Sequence, residues 1–340
     1  MLDLPMIWAV LIAVAVFLYV ALDGFDLGVG ILFPFAKSSR ERDQMQAAIA
    51  PVWDGNETWL VLGGGGLFAA FPKAYAALMP ALYLPIILML IALIFRGVAF
   101  EFRHHGRGRG KRWWTFAFSA GSIVAAIAQG SVLGGFIQGV AIEGGVFVGG
   151  PFDWLTPFSL LVAASLVAGY ALLGAAWLVF KTQGDLFQRA RNWVTTLSLL
   201  TAMAMGAVSL ATLGVDPRVT ARWGLTMTSV DWSQFVFLAP LPLAAGAICF
   251  ALWRRWASTP HLAPYLLAVA LFAIGYVGLA VSLWPYIVPF ALTPADAAAA
   301  DNALALMLWG AAPMLPIILA YTGYVYWIFR AKVGDDAAYH

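Results

Sequence analysis

Leu4-Pro5-Met6-Ile7-Trp8-Ala9-Val10-Leu11-Ile12-Ala13-Val14-Ala15-Val16-Phe17-Leu18-Tyr19-Val20-Ala21-Leu22 carries no charge and runs without a break into Asp23-Gly24-Phe25-Asp26-Leu27-Gly28-Val29-Gly30. About 20 apolar residues suffice for a helix to cross roughly 30 Å of hydrocarbon. The two carboxylates therefore ride at the far end of a membrane helix, where charge is expensive and marks a working site. A second acidic motif, Trp53-Asp54-Gly55-Asn56-Glu57-Thr58-Trp59, stands in equally apolar surroundings. With 62% hydrophobic and 11% charged residues among 340, the chain reads as an integral membrane protein.

Working outward, charge-free stretches recur along the whole chain. They predict an all-α integral membrane protein with nine transmembrane helices, over 7–33, 54–72, 79–101, 114–137, 157–180, 193–214, 233–254, 263–288 and 304–329, in a single transmembrane domain covering 1–340. The alternation of a β-barrel is missing, and long Leu/Ala/Val/Ile runs suit helices that satisfy their own backbone. The second span reaches crossing length only by including Asp54 to Glu57. Gly144-Gly145, Gly149-Gly150-Pro151 and Asp216-Pro217 mark loops, and Ala239-Pro240-Leu241-Pro242 is expected to bend the seventh helix.

Lys and Arg in the loops set the orientation. Alternate loops hold Lys37, Arg40, Arg42; Arg103, Arg107, Arg109, Lys111, Arg112; Lys181, Arg189, Arg191; Arg254, Arg255; and Arg330, Lys332. The other loops hold only Lys73, Arg218 and Arg222. The N-terminus is therefore expected outside and the C-terminus in the cytoplasm. These cations anchor topology, and a net charge of +2 gives no ground for nucleic-acid binding. The first apolar segment lacks a basic n-region, so it is expected to stay as helix one. Cys249 is the single cysteine, which excludes an intrachain disulfide and an iron–sulfur ligand set. His104, His105, His261 and His340 all fall in loops or at the terminus, so no haem or metal ligation by this chain is expected.

Depth gives the charges meaning. At about 1.5 Å per residue, Asp23 and Asp26 lie roughly 24–29 Å along the first helix, and Arg96 roughly 25 Å along the third. Asp54, Asn56 and Glu57 open the second helix from the same side. Asp23/Asp26 and Asp54/Glu57 are i,i+3 pairs, each sharing a helix face; Arg96 and Glu101 point apart. Clustered carboxylates can exchange protons while an arginine holds a neighbour ionised. The competing structural reading has Asp54 and Glu57 capping helix two, and Asp26 pairing with a loop lysine. Gly24, Gly28, Gly30 and the run Gly63-Gly64-Gly65-Gly66 lack the strand and GK[ST] of a nucleotide loop, and suit close helix packing instead.

Three stretches carry a family likeness: Asp23 to Gly30, Ala50-Pro51-Val52-Trp53-Asp54-Gly55-Asn56-Glu57-Thr58-Trp59-Leu60, and Leu67-Phe68-Ala69-Ala70-Phe71-Pro72. With Phe95-Arg96-Gly97-Val98-Ala99-Phe100-Glu101-Phe102-Arg103, they resemble subunit II of the cytochrome bd quinol oxidases. The Trp53–Trp59 wording and the glycine run look more like the branch called cyanide-insensitive. The resemblance implies two four-helix bundles plus a peripheral helix in a bacterial inner membrane. It implies a partner, subunit I, that carries the b- and d-type haems and oxidises quinol. It also allows a structural quinone and a small accessory subunit. By the same resemblance, Asp23 and Asp54 lie on a cytoplasmic proton-uptake path, with Arg96 as charge partner, Asn56 as polar support, and Asp26, Glu57 and Glu101 as secondary members. Two other readings stay open: a proton- or ion-coupled transporter, and a purely structural membrane scaffold.

Overall fold

With few polar side chains available, the backbone satisfies itself in helices. The computed structural model describes residues 3–226, 229–254 and 262–334; Arg255, His261 and His340 lie outside them. The helices are α1 (Leu4–Leu32), α2 (Ser39–Ile49), α3 (Trp53–Ala70), α4 (Pro72–His105), α5 (Arg109–Gln138), α6 (Pro157–Lys181), α7 (Gly184–Leu213), α8 (Pro217–Arg222), α9 (Trp232–Leu238), α10 (Pro240–Trp253), α11 (Ala263–Leu283), α12 (Pro294–Ala297) and α13 (Asp301–Ile328). A 3-10 turn, Phe33–Phe35, follows α1, and a two-residue antiparallel hairpin, Ile142–Glu143 with Val146–Phe147, joins α5 to α6.

Among the described residues, eight helices are long and apolar enough to cross a membrane, with α9 and α10 together forming one of them. The expected second span is the exception. α3 has 18 residues, but its first turns hold Asp54, Asn56 and Glu57, and it is not one of the eight. Ala239, between α9 and α10, keeps helical dihedrals, so the Pro240 interruption leaves one run, Trp232–Trp253. The eighth helix ends at Leu283 rather than at 288, a correction with a simple cause. Pro285 and Pro289 cannot donate to a helical ladder, and Val288 instead forms an isolated bridge with Leu292.

A further departure from the sequence reading is α2, which lies where only a basic loop was expected. Ser38 accepts from the Glu41 amide at 3.1 Å, while the Glu41 carboxylate accepts from the Lys37 amide at 2.7 Å, so both ends of the first turn are held. The helix buries Gln44, Met45, Gln46, Ala48 and Ile49. The Trp177 indole donates to the Ala48 carbonyl at 3.0 Å and pins α2 under α6.

Packing gathers α1, α3, α4 and α5 on one side and α6, α7, α10 and α11 on the other, with α1 lying against α6 between them. Glycine makes that crossing tight. A Cβ on Gly28 would stand 1.8 Å from the Tyr170 carbonyl oxygen, and one on Gly174 would stand 2.4 Å from the Gly28 carbonyl carbon. Beside it, Phe25 stacks on Trp177 with centroids 4.2 Å apart, and Tyr265 and Tyr326 present their edges. The run at Gly63 divides. Gly63 and Gly66 meet Val16 and Ile12 of α1, whereas Gly64 and Gly65 face open space. Of α13, only Leu304 is fully buried.

Candidate functional site

Three helices converge on one guanidinium. Arg96, on α4, is 1% exposed, and its Nη1 donates to Asp23 Oδ1 at 2.8 Å and to Glu57 Oε1 at 2.7 Å. Asp26 Oδ2 stands 4.0 Å from Nη2. Asp23 and Asp26 come from α1, Glu57 from α3. Behind Arg96, Gly121 lets the backbone of α5 close on α4, since a Cβ there would lie 3.1 Å from the Arg96 amide nitrogen. In front, the guanidinium sits 5.7 Å from the Trp53 ring centroid.

Asn56 organises the second tier. Its Nδ2 donates to Asp26 Oδ2 at 2.7 Å and to the Leu22 carbonyl at 3.3 Å, while its Oδ1 accepts from the Tyr326 hydroxyl at 2.8 Å. One buried amide thus ties α1, α3 and α13 together. Beyond Asp23 the polar line continues inward. Tyr19, one turn earlier on α1, interacts with Asp23 and accepts from Gln129 Nε2 at 2.6 Å; Gln129 Oε1 accepts from the Tyr170 hydroxyl at 2.8 Å. Tyr19, Gln129, Tyr170 and Tyr326 were not singled out from the sequence. Only Gln129, an amide within a span, carried a local signal.

The structure brings together Asp23, Asp26, Asn56, Glu57 and Arg96, but not Asp54 and Glu101, whose side chains are exposed. Asp54 keeps its i,i+3 relation to Glu57, about 60° apart around α3, but on the outer edge of that face. The buried stripe of α3 is Asn56, Trp59, Gly63 and Ala70. At about 100° per residue, Asp54 lies some 200° from Asn56, on the opposite side of the helix, while Glu57 lies only about 100° away and reaches Arg96. Glu101 is near the end of α4, where its carbonyl faces His105 Nδ1 at 3.3 Å.

The charge count decides what the cluster can do. Three carboxylates surround one guanidinium, and Asp23 Oδ2, Asp26 Oδ1 and Arg96 Nε and Nη2 are buried without a hydrogen-bond partner among the described residues. Like charges this close are costly in a low-dielectric site, so the single guanidinium does not offset the three carboxylates. Glu57, 30% exposed, connects the group to the surface. Two turns along α4, Arg103 is 2% exposed and differently engaged, with Nη1 on Asp43 at 2.8 Å and Gln46 at 2.7 Å, and Nε on Thr115 at 3.1 Å. Among the described residues no group of three or more His, Cys, Asp or Glu is placed to hold a metal ion. His104 and His105 occupy the last turn of α4.

Comparison with known proteins follows the same residues. The chain is 29% identical to the cytochrome bd-I ubiquinol oxidase subunit 2 of Escherichia coli K12, covering 98% of this chain and 96% of that protein. It is also 29% identical to the cytochrome bd ubiquinol oxidase subunit 2 of Bacillus subtilis, covering 96% of each. The fold matches a chain of the bd oxidase from Geobacillus thermodenitrificans with a TM-score of 0.74 at 20% identity, over 96% of this chain and 99% of that one. The family model for cytochrome bd terminal oxidase subunit II spans residues 4–329, taking in the α1, α3 and α4 motifs that meet at Arg96, and the chain belongs to that family.

Proposed function

We propose that this chain, as subunit II of a quinol:oxygen oxidoreductase, is a haem-free partner that stabilises a haem-bearing subunit I and feeds it protons from the cytoplasm. Reduction of one dioxygen to two waters consumes four protons, and those taken from the cytoplasm must enter the membrane interior through ionisable or hydroxyl groups. The observation that carries the reading is the bridge from partly exposed Glu57 through Arg96 to fully buried Asp23. Arg96 keeps the carboxylates in reach of one another, Asp23 and Glu57 take up and release the proton, and Asn56 fixes Asp26 beside them. Nine spans, with α3 as the second, put this cluster toward the basic, cytoplasmic side. α3 then borders the partner. Its outward face holds the Asp54 carboxylate together with Gly55, Val61, Gly64, Gly65 and Phe68, small or apolar groups left open in this chain alone. A role for Asp54 in passing protons depends on the partner enclosing it.

Haem chemistry belongs to the partner in this reading. His104 and His105 lie at the end of α4 rather than among the packed spans, so they do not offer an axial ligand pair inside the membrane. The test uses the purified complex. Haem bands should accompany this chain, and Asp23→Asn, which keeps shape but removes the titrating group, should leave those bands intact while slowing quinol-driven oxygen consumption and proton uptake. A complex without haem bands would favour the transporter reading. Undiminished turnover and proton uptake in the Asn variant would leave the cluster a structural one.

A further inference from the structure

A groove of about 830 Å³ opens where the turn after α1, the start of α2, the end of α4 and the first four turns of α5 meet. Its two ends differ in chemistry. The rim carries Arg42, Arg103, Lys111 and Arg112, with no carboxylate in the lining. Asp43, just behind, pairs with both Arg103 at 2.8 Å and Lys111 at 3.2 Å, one anion for two cations. Among the described residues Arg42 donates to two backbone carbonyls, those of Ala36 at 2.9 Å and Phe33 at 3.3 Å. Arg112 has no carboxylate partner among the described residues. The rim thus holds a surplus of positive charge.

From that rim the wall runs along α5 past Phe116 to Ile123 and Val124. Lys111 to Val124 spans roughly 20 Å at about 1.5 Å per residue, the reach of much of an acyl chain. Phe116 is 62% exposed along this wall. Between the two zones stands Ser119, 6% exposed, whose hydroxyl has no partner among the described residues, although Ser122 on the same helix donates to the Phe118 carbonyl at 2.8 Å. A buried hydroxyl without a partner is costly unless a ligand supplies one. Ser119 lies about 10 Å along α5 from Arg112, between a charged rim and a hydrocarbon wall, where a glycerolipid carries its ester oxygens.

We propose that this groove is a binding site for an anionic glycerophospholipid, its phosphate on the Arg42–Arg103–Lys111–Arg112 rim, an ester oxygen at Ser119 and an acyl chain along α5. The site rests on the membrane-spanning reading of α4 and α5, not on the proton relay. A free phosphate would satisfy the rim but leave Ser119 and the apolar wall unused. Charge surplus favours an anionic over a zwitterionic headgroup.

The test is lipid retention by the delipidated complex in nanodiscs, followed by native mass spectrometry and thermal unfolding. Phosphatidylglycerol should bind at one high-affinity site and raise the melting temperature by several degrees; phosphatidylcholine should bind at least tenfold more weakly. Lys111→Gln with Arg112→Gln should abolish the difference between the two lipids while haem content and turnover stay normal, and Ser119→Ala should weaken phosphatidylglycerol binding several-fold. Equal retention of both lipids, or unchanged phosphatidylglycerol binding in the double variant, would overturn the proposal. So would the same thermal shift from inorganic phosphate alone, which would identify a free-anion site. A photo-crosslinker replacing Phe116 should label lipid; labelling of the partner polypeptide instead would show that protein covers the groove. Loss of haem bands would count against the oxidase reading and leave these lipid measurements interpretable.

Discussion

Arg96 and Arg103 stand seven residues apart on α4, on nearly the same face, and both are almost fully buried. Their surroundings are opposite. Arg103 meets one carboxylate, an amide oxygen and a hydroxyl, and lies 5.0 Å from the Phe33 ring centroid, so each guanidinium contact is neutral or singly charged. Arg96 meets three carboxylates and leaves two of its own nitrogens without a hydrogen-bond partner. The first arrangement is nearly balanced in charge and ties α2, α4 and α5 together. The second has more carboxylate than its one cation can balance. Burial of an arginine is therefore no guide to its role; the balance of its partners is.

The sharpest way to break this comparison is to remove each cation. Arg96→Leu leaves Asp23 and Asp26 buried without a counter-charge, a loss of about 3–5 kcal/mol, and should prevent recovery of complex with full haem absorbance. Arg103→Leu should do less harm, about 1–3 kcal/mol, because Asp43 is 30% exposed and keeps Lys111. Its complex should assemble with a lowered melting temperature. Equal damage from the two substitutions would erase the distinction.

Removing one carboxylate from each centre sharpens it. Asp23→Asn should slow quinol-driven oxygen reduction at least tenfold, about 1.4 kcal/mol in the barrier, with haem content unchanged. Asp43→Asn should leave turnover within twofold and register only as a small thermal shift. Steady-state oxygen consumption per haem distinguishes the two. The smallest effect is expected from Tyr326→Phe, which deletes one hydrogen bond to Asn56 Oδ1. It should cost about 1 kcal/mol in thermal unfolding and change turnover by less than twofold. A collapse of activity there would move the working group from Asp23 toward Asp26.

Much of this centre was legible in the sequence, for a physical reason. Charges in long apolar runs stand out, so Asp23, Asp26, Glu57 and Arg96 announced themselves, and helix depth brought them to one level. What failed was azimuth. Asp54 and Glu57 share a face by spacing, yet which face points inward depends on α3 packing against α1, and the marker of that stripe was the neutral Asn56. The Tyr19–Gln129–Tyr170 line was hidden for a related reason. Tyrosines are common in apolar spans, and only the crossing of α1, α5 and α6 reveals that these three meet. Helix α2 escaped because its polar residues read as a basic loop. The early end of α11 was readable from Pro285 and Pro289, but hydropathy alone ran past them.

The contact between Gly28 and Gly174 has a mechanical consequence. Two backbones that touch without intervening side chains form a fulcrum: the helices can tilt about it, but they cannot slide along each other without collision with the Tyr170 carbonyl. Tyr170 also ends the polar line that begins at Arg96. Any rocking of α6 about this joint would move the Tyr170 hydroxyl relative to Gln129 on α5 and so alter the end of that line. The joint sits one turn beyond Gly24 and a few residues past Asp23, so the octapeptide Asp23 to Gly30 holds charge and hinge in the same two turns of helix.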